Sequence, residues 1–301
     1  MWTKENIEDQ TGKTIIITGA NTGIGYETAL ALYEKGAHVV LACRNQQNAE
    51  RAISRIMEHN GKGSLEAGIL DLSDLTSVKR FAETFSKKHR QLHVLTNNAG
   101  VAVPPASLTT EGYELQFGVN FLGHFALTGH LYPLLNATTG ARVVTLSSMG
   151  YLSGVIDFDN LKSEISYNPL REYRRSKLAN IVFSIELHRK ITAAGDEILS
   201  VATQPGANNT QLVRHMSKEV VAEGIKQIGG YMEPWQGALS PLYAIVSPDV
   251  AGGDFYEPDN GYKGYPVKST IESKAMDKNL AQTLWEMAEQ ATGLHYPAGK
   301  L

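Results

Sequence analysis

Short runs of aliphatic and β-branched residues alternate along the chain with longer stretches whose apolar positions recur at helical spacing. That alternation predicts βαβ units, and hence an α/β fold built around a parallel sheet. The expected strands are Thr14–Thr18, His38–Ala42, Leu65–Leu70, His93–Thr96, Arg142–Ser147, Ile198–Thr203 and Gly253–Tyr256. Tyr26, Ala29, Leu30 and Tyr33 mark one face of the first helix, with Gly36 as its stop signal. Further helices are expected over 46–59, 74–89, 111–135, 171–194, 235–246 and 274–291. Ser73-Asp74 and Thr110-Glu111 offer capping side chains at the start of two of them.

Two stretches break this rhythm. Residues 151–169 exceed what a connecting turn needs, and 207–234 carries helical pieces around Gln211–Met216 and Lys218–Gly224 before Gly229-Gly230. Long connections of this kind serve as lids or specificity loops. The expectation is one domain over 1–296, with 151–169 as an insertion, 207–234 as a substrate lid and 297–301 as a loose tail.

Composition narrows the class. Hydrophobic residues make up 42% of the chain and charged residues 20%, with a net charge of -3, the balance of a soluble globular protein. The 28 basic and 31 acidic residues nearly cancel and no long basic run occurs, so nucleic acid is not an expected partner. Lys87-Lys88-His89-Arg90 reads as the end of a helix. Cys43 is the single cysteine, which excludes an internal disulfide and fits a reducing cytoplasm; its apolar surroundings make it a buried hydrophobe. Residues 1–13 lack an apolar signal core, and no stretch reaches the length of a membrane span. A cytoplasmic protein acting on a small molecule is expected, with no membrane or metal partner and with self-association open.

Candidate chemistry begins at Thr18-Gly19-Ala20-Asn21-Thr22-Gly23-Ile24-Gly25, which follows the first strand and opens the first helix. Glycines there let backbone approach a ligand closely, and a helix N-terminus accepts a pyrophosphate. At the end of the second strand stands Arg44, with no acid before Glu50. A carboxylate there would hold the ribose 2′-hydroxyl of NAD, whereas an arginine suits the 2′-phosphate of NADP. Asp71-Leu72 could border an adenine, or Asp71 could simply start a helix. Tyr173 and Lys177 stand four residues apart, on one face if the segment is helical, and an ammonium beside a phenol favours the phenolate.

Gly19-x-x-x-Gly23-x-Gly25, Asn97-Asn98-Ala99-Gly100, Asn120, Ser147-Ser148, Tyr173-x-x-x-Lys177 and Pro205-Gly206 occur in this order. Together they resemble the short-chain dehydrogenase/reductase family over nearly the whole chain. Gly-Ala-Asn-Thr-Gly-Ile-Gly, Leu-Ala-Cys-Arg, Val-Asn-Phe-Leu-Gly-His-Phe and Ser-Lys-Leu-Ala-Asn-Ile are similar to its retinol-dehydrogenase-like branch, which includes bacterial NADPH-dependent carbonyl reductases. The resemblance implies a Rossmann-like, doubly wound sheet and hydride transfer between nicotinamide C4 and a carbonyl or alcohol carbon. Tyr173 matches the general acid/base, and Lys177 the residue that holds the nicotinamide ribose and lowers the tyrosine pKa. Ser148 matches the hydroxyl on the substrate oxygen. Asn120 matches the asparagine that holds a relay water. Asn98, Ala99 and Gly100 match the turn beside the adenosine ribose, and Pro205, Gly206 and Thr210 the segment at the carboxamide.

Departures from the family pattern are Thr96 for an aliphatic residue, Gln204 for a frequent histidine and Asn208 for a frequent valine. Ser148 and Tyr173 are 25 positions apart, longer than in compact members. An NADPH-dependent carbonyl reductase is the leading expectation. The alternatives are a retinol- or steroid-type alcohol dehydrogenase, whose relatives often carry an N-terminal anchor, or an NADP(H)-sensing protein without turnover. Substrate contacts are expected from Val101, Val103, Met149, Tyr151, Leu212 and Met216.

Overall fold

Ile15, Ile16 and Ile17 are wholly buried in consecutive positions, so both faces of their strand are covered, as parallel sheets require. A computed structural model of the protein describes residues 1–210, 226 and 229–297. Its eight strands are β1 (Thr14–Thr18), β2 (His38–Cys43), β3 (Ser64–Ile69), β4 (Val94–Asn97), β5 (Arg142–Leu146), β6 (Leu199–Thr203), β7 (Phe255–Pro258) and β8 (Pro266–Lys268). They form one sheet in the order β3-β2-β1-β4-β5-β6-β7-β8. Pairing is parallel throughout except at β7 and β8. The sheet reverses its direction of growth between β1 and β4, which opens a crevice at the carboxyl ends of these strands.

Alternation along the strands sorts side chains into two cores. Ile16, Val40, Leu95 and Val143 pack beneath helices Leu75–Lys88, Gly123–Asn136, Pro169–Ala194 and Lys278–Thr292. Ile15, Ile17, Val39, Leu41 and Val144 face helices Gly23–Glu34, Gln46–Met57 and Leu239–Val246. This is the doubly wound arrangement that the alternating pattern implies. No described helix is long and apolar enough to cross a membrane.

Several expected elements differ in detail. The stretch 111–135 is not one α-helix: a short turn over Leu115–Phe117 runs into a π-helical turn at Gly118–Leu122 before Gly123–Asn136. Glu114 caps it, accepting from Gln116 N at 3.0 Å and Phe117 N at 2.9 Å. Glu111 instead serves another helix, accepting from Leu75 N at 2.8 Å, while Asp74 caps that helix as anticipated. The expected helix over 235–246 is two pieces, Pro234–Gly237 and Leu239–Val246. Antiparallel β8 lies outside the expected strands, because three residues beginning with proline give no strand-like run. Cys43 is buried, which pushes its thiol up to about 11.

Candidate active site

The catalytic-helix candidate, Pro169–Ala194, starts where Asn168 Oδ1 accepts the Leu170 and Arg171 amides at 3.1 and 3.0 Å, with proline at its first position. Gly195, at φ 70°, ends it. Tyr173 and Lys177 therefore share a helix face, and both are buried. Lys177 Nζ lies 5.8 Å from the Tyr173 ring centroid. It donates to the Leu146 carbonyl at 3.3 Å, and Asn180 Nδ2 reaches the same oxygen at 2.9 Å. Ser147 Oγ donates to the Lys177 carbonyl at 2.6 Å. The end of β5 thus holds the helix by polar contacts, and the residue after Ser147 is the candidate Ser148.

Ser148 heads a 3-10 turn over Met149–Ser153, with its hydroxyl accepting from Gly150 N at 3.2 Å. Burial raises the Tyr173 pKa above the usual phenol value, and a hydrogen bond with Ser148 acts against that rise. Lys177 is pulled down to about 8 by burial. The expected lowering of the tyrosine by the lysine is not what this geometry gives. Desolvation dominates, and the ammonium is turned toward the Leu146 carbonyl.

Asn120 sits inside the π turn and is fully buried. Its carboxamide binds Val101 on both sides, accepting from the amide at 2.8 Å and donating to the carbonyl at 3.0 Å. The same Nδ2 donates to Ser176 Oγ at 2.9 Å, so Asn120 fastens the Val101 loop to the Tyr173 helix. Its backbone carbonyl accepts from His124 Nδ1 at 3.0 Å, and His124 Nε2 lies 2.9 Å from Thr18 Oγ1. Burial pulls His124 down to about 4, so the ring is neutral at ordinary pH. A carbonyl can only accept, which places the imidazole proton on Nδ1 and leaves Nε2 to accept from Thr18. Thr18 Oγ1 also accepts the Asn98 and Ala99 amides at 2.9 Å each.

Beside this cluster a cleft of about 460 Å³ opens at the crevice. Gly19, Asn21, Thr22, Gly23, Ile24, Gly25, Arg44, Asp71, Leu72, Asn98, Ala99, Gly100, Val101 and Thr210 line it, so most of the expected cofactor residues come together. A Cβ on Gly25 would lie 2.5 Å from Asn98 Nδ2, and one on Gly19 would lie 2.9 Å from Ala99 Cα. Side chains at either position would close the cradle. Thr22 opens the helix Gly23–Glu34 without a side-chain cap, and no acid stands in its first turn. Those free amides suit an anionic pyrophosphate, so the residues present fit a dinucleotide. Arg44 is exposed at the rim, and Asn45 beside it caps the next helix. Asp71 both lines the cleft and accepts from Ser73 N and Oγ at 3.0 and 2.6 Å.

The cleft meets the candidate cluster at Gly100, where a Cβ would lie 3.3 Å from Asn120 Oδ1 and 3.6 Å from Lys177 Nζ. Pro205 and Gly206 are not lining residues, but Gln204 anchors them. Its Oε1 accepts from Gly206 N at 2.7 Å, and its Nε2 donates to Glu257 and to the Gly261 carbonyl at 3.0 and 2.7 Å. Asn208 Nδ2 donates to the Pro205 carbonyl at 2.7 Å.

The substrate expectations fare less evenly. Val101 lines the cleft, Val103 sits at φ 53°, and half-buried Met149 approaches Gly261. Tyr151 is a correction: it is buried in the core against Phe255, with ring centroids 5.9 Å apart, because the 3-10 turn after Ser148 points it inward. Leu212 and Met216, with most of the expected lid, lie outside the described residues.

Sequence reasoning missed a buried ion cluster around Tyr173. Arg175 Nη2 lies 2.6 Å from Glu172 and 3.7 Å from Glu114, and its Nη1 donates to the Asn160 carbonyl at 2.8 Å. It ties the 151–169 stretch to the Tyr173 helix and to the start of the Asn120 helix. The available signal was two charged residues, Glu172 and Arg175, flanking Tyr173 at i,i+3 spacing.

Residues 13–221 match the family described as short chain dehydrogenase. The chain is 37% identical to retinol dehydrogenase 14 of Mus musculus, covering 94% of this chain and 86% of that protein. It is 38% identical to a short-chain dehydrogenase/reductase of Armillaria gallica, covering 96% and 93% respectively. A crystal structure of an uncharacterized protein from Mycobacterium paratuberculosis superposes with a TM-score of 0.82 at 36% identity, covering 98% and 99% of the two chains.

Proposed function

This chain belongs to the short-chain dehydrogenase family, and we propose that it works there as an NADPH-dependent carbonyl reductase, turning ketones or aldehydes into alcohols. One observation carries the reading: the buried Tyr173–Lys177 face of its helix stands behind Gly100 of the glycine-loop cleft, where a Cβ would lie 3.6 Å from Lys177 Nζ, and burial raises the Tyr173 pKa.

When bound, the nicotinamide cofactor would supply the hydride that adds to the carbonyl carbon. The glycine loop and the helix start after Thr22 would hold its pyrophosphate, and Arg44 the 2′-phosphate. Asp71 and Leu72 would flank the adenine, and Asn98 to Gly100 the adenosine ribose. Lys177 would hold the nicotinamide ribose, with Pro205, Gly206 and Thr210 at the carboxamide. Ser148 and Tyr173 donate to the substrate oxygen as negative charge grows there, which stabilises the transition state more than the ground state. Tyr173 then releases its proton to that oxygen, and the Lys177 ammonium offsets the phenolate left behind. A relay from Lys177 to the Asn120 carbonyl would use the lone pair that His124 leaves open.

A second reading, oxidation of a retinoid alcohol, is favoured by the identity to retinol dehydrogenase 14. The deciding experiment follows cofactor oxidation with NADPH and NADH over aryl ketones, aldehydes and retinal, using the wild type and Arg44→Asp. Faster turnover with NADPH, reversed toward NADH in the variant, supports the cofactor assignment; an unchanged preference removes it. Retinal outpacing every simple carbonyl would favour the second reading. Tight NADPH binding with no turnover of any carbonyl would point to a sensor.

A further inference from the structure

We propose that His38, Glu66 and His89 form a site for a divalent ion of the zinc class, at the end of the sheet remote from the cofactor cleft. His38 opens β2 and Glu66 lies in the neighbouring edge strand β3, where the register His38↔Ser64 and Val40↔Glu66 puts both on one face. His89 follows the last turn of the helix Leu75–Lys88 packed over that face. One ligand atom from each residue can be chosen so that all three lie within 4.8 Å of one another.

Two ligand separations suit a coordination polyhedron. Glu66 Oε2 lies 3.4 Å from His38 Nε2 and 3.1 Å from His89 Nε2. A tetrahedral zinc ion with bonds of about 2.0–2.1 Å needs ligand atoms about 3.4 Å apart. The donor set, two imidazoles and one carboxylate, is one that zinc accepts, with water in the fourth position.

Further observations point the same way. His38 Nε2 is buried and makes no hydrogen bond among the described residues, although it faces the carboxylate. Its other nitrogen, Nδ1, contacts Ser64 Oγ at 2.7 Å, the outer-shell contact that orients a ligating histidine. The His89 ring is held in place by stacking on Phe85, with centroids 4.4 Å apart. A cation already visits the carboxylate: Lys88 Nζ lies 2.8 Å from Glu66 Oε2 on a side chain that is 60% exposed and can swing away. A bound ion would pin the edge strand β3 to β2 and to the helix end.

The test uses tag-free, chelator-treated full-length protein titrated with Zn²⁺ alone, and with Co²⁺ for its visible spectrum. A saturable site, an intense tetrahedral cobalt spectrum and a higher melting temperature are expected. Glu66→Gln and His89→Gln should weaken binding by at least ~100-fold, and Ser64→Ala by ~10- to 100-fold, as outer-shell losses do. Lys88→Ala, which removes a competing charge without touching a ligand, should tighten it. His59→Gln, beside a separate Glu34 contact at 3.6 Å, should change nothing. Absence of saturable binding, or equal binding in the folded Glu66→Gln/His89→Gln double variant, overturns the proposal. Carbonyl turnover does not enter these readouts, so the outcome is independent of the proposed activity.

Discussion

Asn120 Nδ2 donates to Ser176 Oγ at 2.9 Å, and Ser176 Oγ in turn donates to the Tyr173 carbonyl at 2.8 Å. The asparagine of one helix is thus fastened to the Tyr173 helix one residue before Lys177. Ser176→Ala leaves half of the Asn120 amide without its partner in a dry site. A loss of about 1–3 kcal/mol is expected, and urea unfolding measures it. Unchanged stability would mean that water replaces the hydroxyl.

Tyr173→Phe removes the proposed proton donor while leaving the ring and the cleft in place. Carbonyl reduction should fall by about 10²–10⁴, with NADPH affinity, followed by fluorescence titration, close to that of the wild type. Retention of turnover would require another acid.

Lys177 gives the pH dependence its sign. Its pKa is drawn down to about 8, so it loses its charge as pH rises through that value. For reduction, kcat/KM should be level below about pH 8 and decline above it, and Lys177→Arg should move that limb upward. Stability runs the other way. Between about 8 and the ordinary 10.5 the unfolded chain holds the proton more tightly, so this group makes the fold more stable as pH rises across that window. Denaturant melts at several pH values separate the two trends.

Arg175→Ala should destabilise by about 3–5 kcal/mol, since it removes the buried cation between Glu172 and Glu114 and leaves Glu172 with Arg171 alone and Glu114 with the amides it caps. Equilibrium unfolding is the measure. A loss below about 1 kcal/mol, the scale of an exposed pair, would show that the cluster is solvated.

Thr96 offers a gain. Its Oγ1 is buried without a hydrogen-bond partner among the described residues, so Thr96→Val should stabilise by about 1 kcal/mol. A lower midpoint in the same assay would contradict that.

The sheet and the glycine loop were legible because their information is local. Thr14–Thr18 is a β-branched run of five, and Gly19 to Gly25 are neighbours in the chain. What escaped depends on contacts between distant residues. Glu111 caps a helix that begins 36 positions earlier, and His124 meets Thr18 across 106. His38, Glu66 and His89 come from two strands and a helix end, with no motif joining them. Tyr151 comes three residues after Ser148, yet the 3-10 turn sends it to the core. The apolar pattern of 111–135 fits one helix and carries no mark of the extra residue that its π turn accommodates.

That turn, Gly118–Leu122, acts as a one-residue insertion in an otherwise regular helix. Each α-helical residue advances the side-chain direction by about 100°, so the bulge decouples the azimuth of the first turn from that of the long segment after it. The chain can therefore seat Phe125, Leu127 and Leu131 in the core and independently aim Asn120 at Val101 and Ser176. Deleting Val119 would restore a single phase. The asparagine and the aromatic core could then no longer both be served by one uninterrupted screw.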